Sequence, residues 1–256
     1  YHAANTAFTD TTWNVITSTS DASGVLHYSN GDLAGVSLKL GTATGTGNTV
    51  PATTLTVPSS SLTFSGLGSA ANTGIYTNNS VATDGMFISG GSGSTFATVG
   101  LQIGGLAAGT YDIYVTARNT NSTAAYRQNV YAGTSASSGN FTYANSSSGT
   151  SGSAVGTAAP GYSSATVGYN GTNSSTAWVQ ATGTTTEIYG NYVKLSVVLT
   201  SGEFLNLAVT GQFSDDRGFL NSVQIVSTSP IPEPSTCALI VGFAALVSVA
   251  VRRRRS

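Results

Sequence analysis

Across residues 1–229 the apolar positions show almost no helical period; they fall in short alternating runs separated by Gly, Asn and Ser. Alternation places successive side chains on opposite faces of an extended chain, which is the pattern of half-buried antiparallel strands. The clearest runs are residues 98–103, with Val99, Leu101 and Ile103 on one face, and residues 110–118. In the second run Tyr111, Ile113, Val115 and Ala117 share a face, with Asp112, Tyr114, Thr116 and Arg118 opposite. The glycine-rich link from Gly104 to Gly109 predicts that these two runs form a hairpin. Residues 193–199 and 205–209 repeat the arrangement: Val193, Leu195, Val197 and Leu199 alternate, Thr200-Ser201-Gly202-Glu203 turns, and Leu205, Leu207 and Val209 alternate. A closing strand over 220–226 sets Val223 and Ile225 on one face. Weaker strands are expected at 13–17, 24–28, 36–40, 61–64, 86–88, 128–131 and 177–181. Residues 133–175, mostly Gly, Ser, Ala, Thr and Asn, read as a long loop or insertion, or as a set of weak strands. Many short strands with no helices to cover a parallel sheet imply an all-β protein, an antiparallel β-sandwich occupying residues 1–229 as one domain.

The pattern changes abruptly at the end. Ile231-Pro232-Glu233-Pro234-Ser235-Thr236 precedes an apolar run of fifteen residues, 237–251, in which only Ser248 is plainly polar. Arg252, Arg253, Arg254, Arg255 and Ser256 follow. As a helix the run would be about 22 Å long at about 1.5 Å per residue, short against a hydrocarbon core of about 30 Å. Snorkelling arginines bring it near the lower limit for a transmembrane helix. Four arginines resist translocation, so the basic end 252–256 is expected in the cytoplasm and the body on the opposite side. The prolines of the linker 230–236 favour extended backbone, which would present Glu233 at the membrane surface in the form a processing enzyme needs.

Those three parts, in that order, resemble the PEP-CTERM sorting signal of Gram-negative and related environmental bacteria. The motif falls on Pro232, Glu233 and Pro234, the helix on 237–251 and the basic end on Arg252 to Arg255. The resemblance implies an exosortase-type processing enzyme and the export translocon as partners. It also implies transient anchoring in the cytoplasmic membrane with the body outside, followed by a place at the cell surface or in the extracellular matrix. Since the sequence starts at Tyr1 without a charged, apolar leader, either a removed signal peptide or a fragment is expected. A second resemblance lies in the body. The block G-L-A-A-G-T-Y-D-I-Y-V over 105–115 and the closing block G-F-L-N-S-V-Q-I over 218–225 look like the jelly-roll, galactose-binding-like domains of many bacterial surface proteins.

Composition narrows the partners. Charged residues make up only 7% of the chain, against a usual quarter or so. Of nine Lys plus Arg, four lie in the tail; of ten Asp plus Glu, one does. The body therefore carries five cations and nine anions, a formal charge of −4 and no electrostatic footprint for nucleic acid. The single cysteine, Cys237, sits in the anchor, as a lipidation site or a plain apolar residue, so the body has no disulfide.

No nucleophile elbow, metal-binding helix or phosphate loop is present, and catalysis is not expected. The densest charged cluster is Asp215-Asp216-Arg217. It reads as a turn whose acid pairs locally, as a calcium site completed by loop carbonyls, as a ligand contact, or as half of a catalytic pair with Glu187 or Glu203. No other metal or cofactor is expected. Trp13 alternates with Val15 and reads as core. Trp178 reads as an exposed sugar-stacking platform if Ala177, Val179 and Ala181 face inward, and otherwise as a buried ring; Tyr189 and Tyr192 could extend the platform. The expectation is an exported structural or carbohydrate-binding protein working among extracellular polysaccharide. The alternative is a carbohydrate-active hydrolase or lyase with scattered acids.

Overall fold

The computed structural model describes residues 13–14, 16, 18–19, 26–29, 32–45, 52–65, 75, 85–88, 97–118, 127–145, 156–168, 177–182, 190–212 and 217–228. The C-terminal motif, apolar run and basic end lie outside the described residues, as do Val15, Glu187, Tyr189, Asp215 and Asp216. The strands are β1 (Ser37–Thr44), β2 (Thr54–Leu55), β3 (Leu62–Ser65), β4 (Gly85–Ile88), β5 (Ala97–Gly104), β6 (Gly109–Thr116), β7 (Arg127–Ser135) and β8 (Phe141–Thr142). They continue with β9 (Tyr162–Gly168), β10 (Val193–Leu199), β11 (Phe204–Gln212), β12 (Phe219–Leu220) and β13 (Ser222–Ser227). There is no α-helix among the described residues.

The ladders between the described strands are antiparallel. A five-stranded sheet has the order β1-β5-β11-β7-β9 and a three-stranded sheet the order β10-β6-β13. Their inner faces share one apolar core: Val99, Leu101 and Ile103 of β5 and Leu205, Leu207 and Val209 of β11 meet Ile113 and Val115 of β6 and Leu195, Val197 and Leu199 of β10. This is a β-sandwich, and the inward faces are those the alternation predicts. Full burial of each such Val, Leu or Ile contributes roughly 1.5–3 kcal/mol, which explains why the alternation is strictest in these four strands. A smaller sheet, β12-β4-β3, adds Met86 and Leu220 to the same core.

Neither expected hairpin forms. β5 pairs with β1 and β11, β6 pairs with β10 and β13, and β11 pairs with β5 and β7. The four strands do pair with one another, but crosswise: Ile103 lies opposite Leu205 in one sheet and Ile113 opposite Leu195 in the other. Residues 105–108 and 200–203 are therefore arches that carry the chain from one sheet to the other. Facing sheets are about 10 Å apart, and four residues at up to about 3.5 Å each can bridge that gap. Each arch contains one glycine in the left-handed region, Gly105 at φ 86° and Gly202 at φ 84°. Each is also tied down locally. The Tyr111 hydroxyl donates to the Ala107 carbonyl at 2.7 Å, and the Glu203 carboxylate accepts from the Thr200 amide at 2.7 Å.

The outer face of the five-stranded sheet is covered. Leu55, Val57, Phe141, Tyr143 and Ala144 pack on Tyr131 and Ala208, with β2 paired to β8 above the sheet. The glycine-rich stretch 133–175 thus supplies both an edge strand, β9, and much of a covering layer. Glycines in the sheet make room for it. A Cβ on Gly41 would meet Val57 and Leu55 side chains at 2.6 and 2.7 Å, and one on Gly133 would meet the Tyr162 ring at 2.6 Å. Two other expectations are corrected. Arg118, placed on the polar face of its run, is 1% exposed, and its backbone amide donates to the Asn221 carboxamide oxygen at 2.7 Å. Residues 13–17 and 177–181 form no regular strand among the described residues; Gln180 makes a single parallel bridge to Tyr192.

Candidate functional site

The outer face of the three-stranded sheet is the open one. Its outward residues run in rows across the strands: Lys194, Tyr114 and Gln224 lie opposite one another, as do Ser196, Asp112 and Val226. At one end of this face is a shallow recess, partly open to solvent. Four aromatic residues line it, Trp13, Tyr114, Trp178 and Tyr192, and Thr116, Ser222 and Gln224 supply its polar positions. All four rings are half-buried. Tyr192 sits between two of them, 6.1 Å from Tyr114 and 6.3 Å from Trp178, the latter at 65° in an edge-to-face contact.

The tryptophans reach this recess from remote segments, and an asparagine beside each holds it there. The Asn191 carboxamide accepts from the Val179 amide at 2.8 Å and donates to the Ala177 carbonyl at 2.9 Å, bracketing Trp178 on both sides. Backbone bonds from Asn191 to Val179 and from Ala181 to Tyr192, each 2.8 Å, complete the clamp. The inner side of Trp178 packs on Ile75. Next to Trp13, the Asn14 carboxamide makes the same reciprocal pair with the backbone of His27, both bonds 2.8 Å. A side-chain amide copies the donor and acceptor of a peptide, so it can pair with an irregular segment where a strand cannot.

The polar groups of the recess differ in how far they are satisfied. The Thr116 and Ser222 hydroxyls bond to each other at 2.6 Å. The Gln224 Oε1 is buried and has no hydrogen-bond partner among the described residues. Beside the recess, the Lys194 ammonium lies 2.6 Å from the Asp112 carboxylate and 5.7 Å from the centre of the Tyr114 ring. Partial burial works to raise the Asp112 carboxyl. Hydrogen bonds from Lys194 and Ser196, together with the lysine's charge, outweigh it and hold the group below the usual carboxylate value. The hydrogen bond to Asp112 correspondingly raises Lys194. Both groups therefore stay charged through the neutral range.

Of the residues singled out from sequence, Trp178 and Tyr192 come together, while Tyr189, Asp215 and Asp216 lie outside the described residues. Trp13, expected in the core, lines the recess instead. The inward face of Ala177, Val179 and Ala181 that a fully exposed Trp178 would require is not formed: Ala181 is buried, but Ala177 and Val179 are exposed. Tyr114 and Gln224 were missed, although both lie on the outward faces that the alternation of β6 and β13 defines. Glu203 is engaged in its arch, where the Thr200 amide lowers its carboxyl and Thr134 adds a 3.4 Å bond. No group of three or more metal-ligating side chains occurs among the described residues.

Residues 230–255 match the PEP-CTERM protein-sorting motif, a signal that implies export, a membrane-held C-terminus and processing by an exosortase. No curated protein matches the chain. Among solved structures, TmCBM61 in complex with β-1,4-galactotriose aligns with 73% of this chain and 88% of its own. The identity is 9% and the TM-score 0.28, a likeness too slight to bear on fold or ligand.

Proposed function

We propose that this protein is carried out of the cell by its C-terminal signal and binds carbohydrate through the aromatic recess, as a surface or matrix component and not as a catalyst. Residues 237–251 form the transient membrane helix, Arg252 to Arg255 hold its cytoplasmic end, and an exosortase acts at Pro232-Glu233-Pro234. The body is jelly-roll-like, a reading supported by the pairing of the G-T-Y-D strand β6 with the closing strand β13. Extracellular polysaccharide is the partner.

One observation carries the binding assignment: four aromatic rings converge on one partly open recess that hydroxyl and amide side chains also line. Aromatic faces suit the C–H-rich side of a pyranose, and amides and hydroxyls suit its ring hydroxyls. The test is direct because the chain contains only two tryptophans, Trp13 and Trp178, and both line the recess. Intrinsic tryptophan emission therefore reports on this site alone. A cognate polysaccharide should shift that emission with saturation and without release of reducing ends, and Trp178→Ala should abolish the shift. Release of reducing ends by the parent protein would argue for the hydrolase.

A further inference from the structure

The recess contains aromatic faces and a buried amide oxygen but no cation of its own. We infer that it is built for uncharged saccharides and rejects uronate or sulfated chains, a deepening that rests on the carbohydrate reading above. The body has only five side-chain cations, Lys39, Arg118, Arg127, Lys194 and Arg217, and each can be placed. Lys39 and Arg127 belong to β1 and β7 of the other sheet. Arg217 stacks on Phe219, its guanidinium carbon 5.6 Å from the ring centre. Arg118 follows Thr116 on the recess side but is 1% exposed and, unlike the half-buried Gln224, does not line the recess. Among the described residues, Lys194 is the cation at the surface beside the recess, and Asp112 neutralises it at 2.6 Å.

The floor gives the same answer independently. Gln224 is half-buried and lines the recess, and its Oε1 is an acceptor shielded from water and without a partner among the described residues. Leaving such an atom unpaired is unfavourable, and a ligand that brings a donor relieves it. A sugar hydroxyl brings one. A carboxylate or sulfate brings only further acceptors, which would face the amide oxygen at close range in a poorly hydrated site. Anionic polymers thus meet a desolvation penalty with no compensating cation.

The experiment uses the full chain in detergent micelles and reads tryptophan emission. Soluble neutral polymers (galactan, glucan, mannan and xylan) are titrated at low and high sodium chloride, followed by polygalacturonate and alginate. The neutral hexose polymer that binds best is then oxidised at its free C6 hydroxyls to carboxylates, which changes charge while keeping the backbone. The neutral form should bind with an affinity independent of salt, since no charged contact is available to screen. The oxidised form should bind on the order of tenfold more weakly or not at all. Gln224→Leu, of similar size, should lose on the order of tenfold in affinity through the missing hydrogen bond, with a melting temperature no lower than the parent's showing that the fold survives. Lys194→Met should leave neutral binding unchanged. Tighter binding of the oxidised or uronate polymers, weakening as salt rises, would overturn the inference and leave the carbohydrate reading standing. Undiminished binding by Gln224→Leu would remove the amide from the argument and overturn its role. Silence from every polymer, neutral and acidic alike, would instead remove the carbohydrate reading, and the inference with it.

Discussion

The sandwich has two outer faces, both rich in aromatic residues, and they have been put to opposite uses. Over the five-stranded sheet the rings form a lid. Every residue of β5 is buried, so its two faces are equally dry. Each ring hydroxyl of the lid has a protein partner: Tyr131 donates to the Gly156 carbonyl at 2.7 Å, the Tyr162 oxygen accepts from Asn206 at 2.9 Å, and Tyr143 bonds Thr98 and Ala52. Burial pushes the phenols up, Tyr162 to about 12 and Tyr131 and Tyr143 beyond it. Over the three-stranded sheet the rings stay half-buried around a partly open recess, where Gln224 Oε1 has no partner among the described residues. An aromatic cluster therefore does not mark a site by its composition. What separates the two is access: Tyr131 and Tyr143 of the lid are buried, whereas the four rings of the recess stay half-buried.

If this contrast is sound, mutations on the two faces should separate stability from binding. The largest effect is expected at the lid. Tyr143→Ala should lower stability by about 3–5 kcal/mol, seen as a lower midpoint in chemical denaturation. Trp178→Ala, which removes a half-buried ring, should cost about 1–2 kcal/mol while eliminating glycan binding. Equal losses of stability at the two positions would break the comparison.

Alkaline pH should also act through the lid. A phenol whose folded-state value is raised stabilises the protein fully below the unfolded value of about 10. That contribution is lost progressively as pH climbs from there toward the folded values. Denaturant midpoints should thus fall from about pH 10 upward, and the slope should be shallower in Tyr143→Phe, which keeps the ring and removes the titration. A flat profile up to Tyr162's value of about 12 would show the lid phenols to be wet.

A smaller effect is expected at the clamp. Asn191→Ala should free the segment carrying Trp178, red-shifting its emission and weakening glycan binding by on the order of tenfold, with a stability loss of about 1–2 kcal/mol. Unchanged emission would mean that Ile75 and Tyr192 position the ring unaided. The smallest effect belongs to the pair beside the recess. Asp112 is lowered and Lys194 raised, so the pair's contribution is present above about pH 4 and below about pH 10.4. It is lost as pH falls below the first or rises above the second. Neutral-glycan affinity should accordingly be flat from about pH 5 to 9, and a bell-shaped profile inside that window would bring Lys194 or Asp112 into the binding step.

The extent to which the molecule could be read in advance follows from these contrasts. Alternation in 98–103, 110–118, 193–199 and 205–209 identified four strands and their inward faces, because burying one face of a pleated chain demands an apolar residue every second position. The C-terminal triplet of motif, apolar run and arginines was readable for a related reason, since a membrane and a processing enzyme act on local, linear features. The site was only half readable. Trp178 and Tyr192 are near in sequence, but Trp13, Tyr114 and Gln224 arrive from three other segments, and residues 13–17 and 177–181 carry no reliable period because asparagine clamps hold them instead of a strand ladder. Strand partnership was not readable at all. A short link with one left-handed glycine serves a hairpin, which keeps both strands in one sheet, as well as an arch, which turns them to face each other across the core. The inward residues are the same in either case, so sequence determines which side of each strand is dry. Whether Ile103 lies opposite a residue of β6 or of β11 depends on which arrangement buries all the strands at once, and only the tertiary structure decides that.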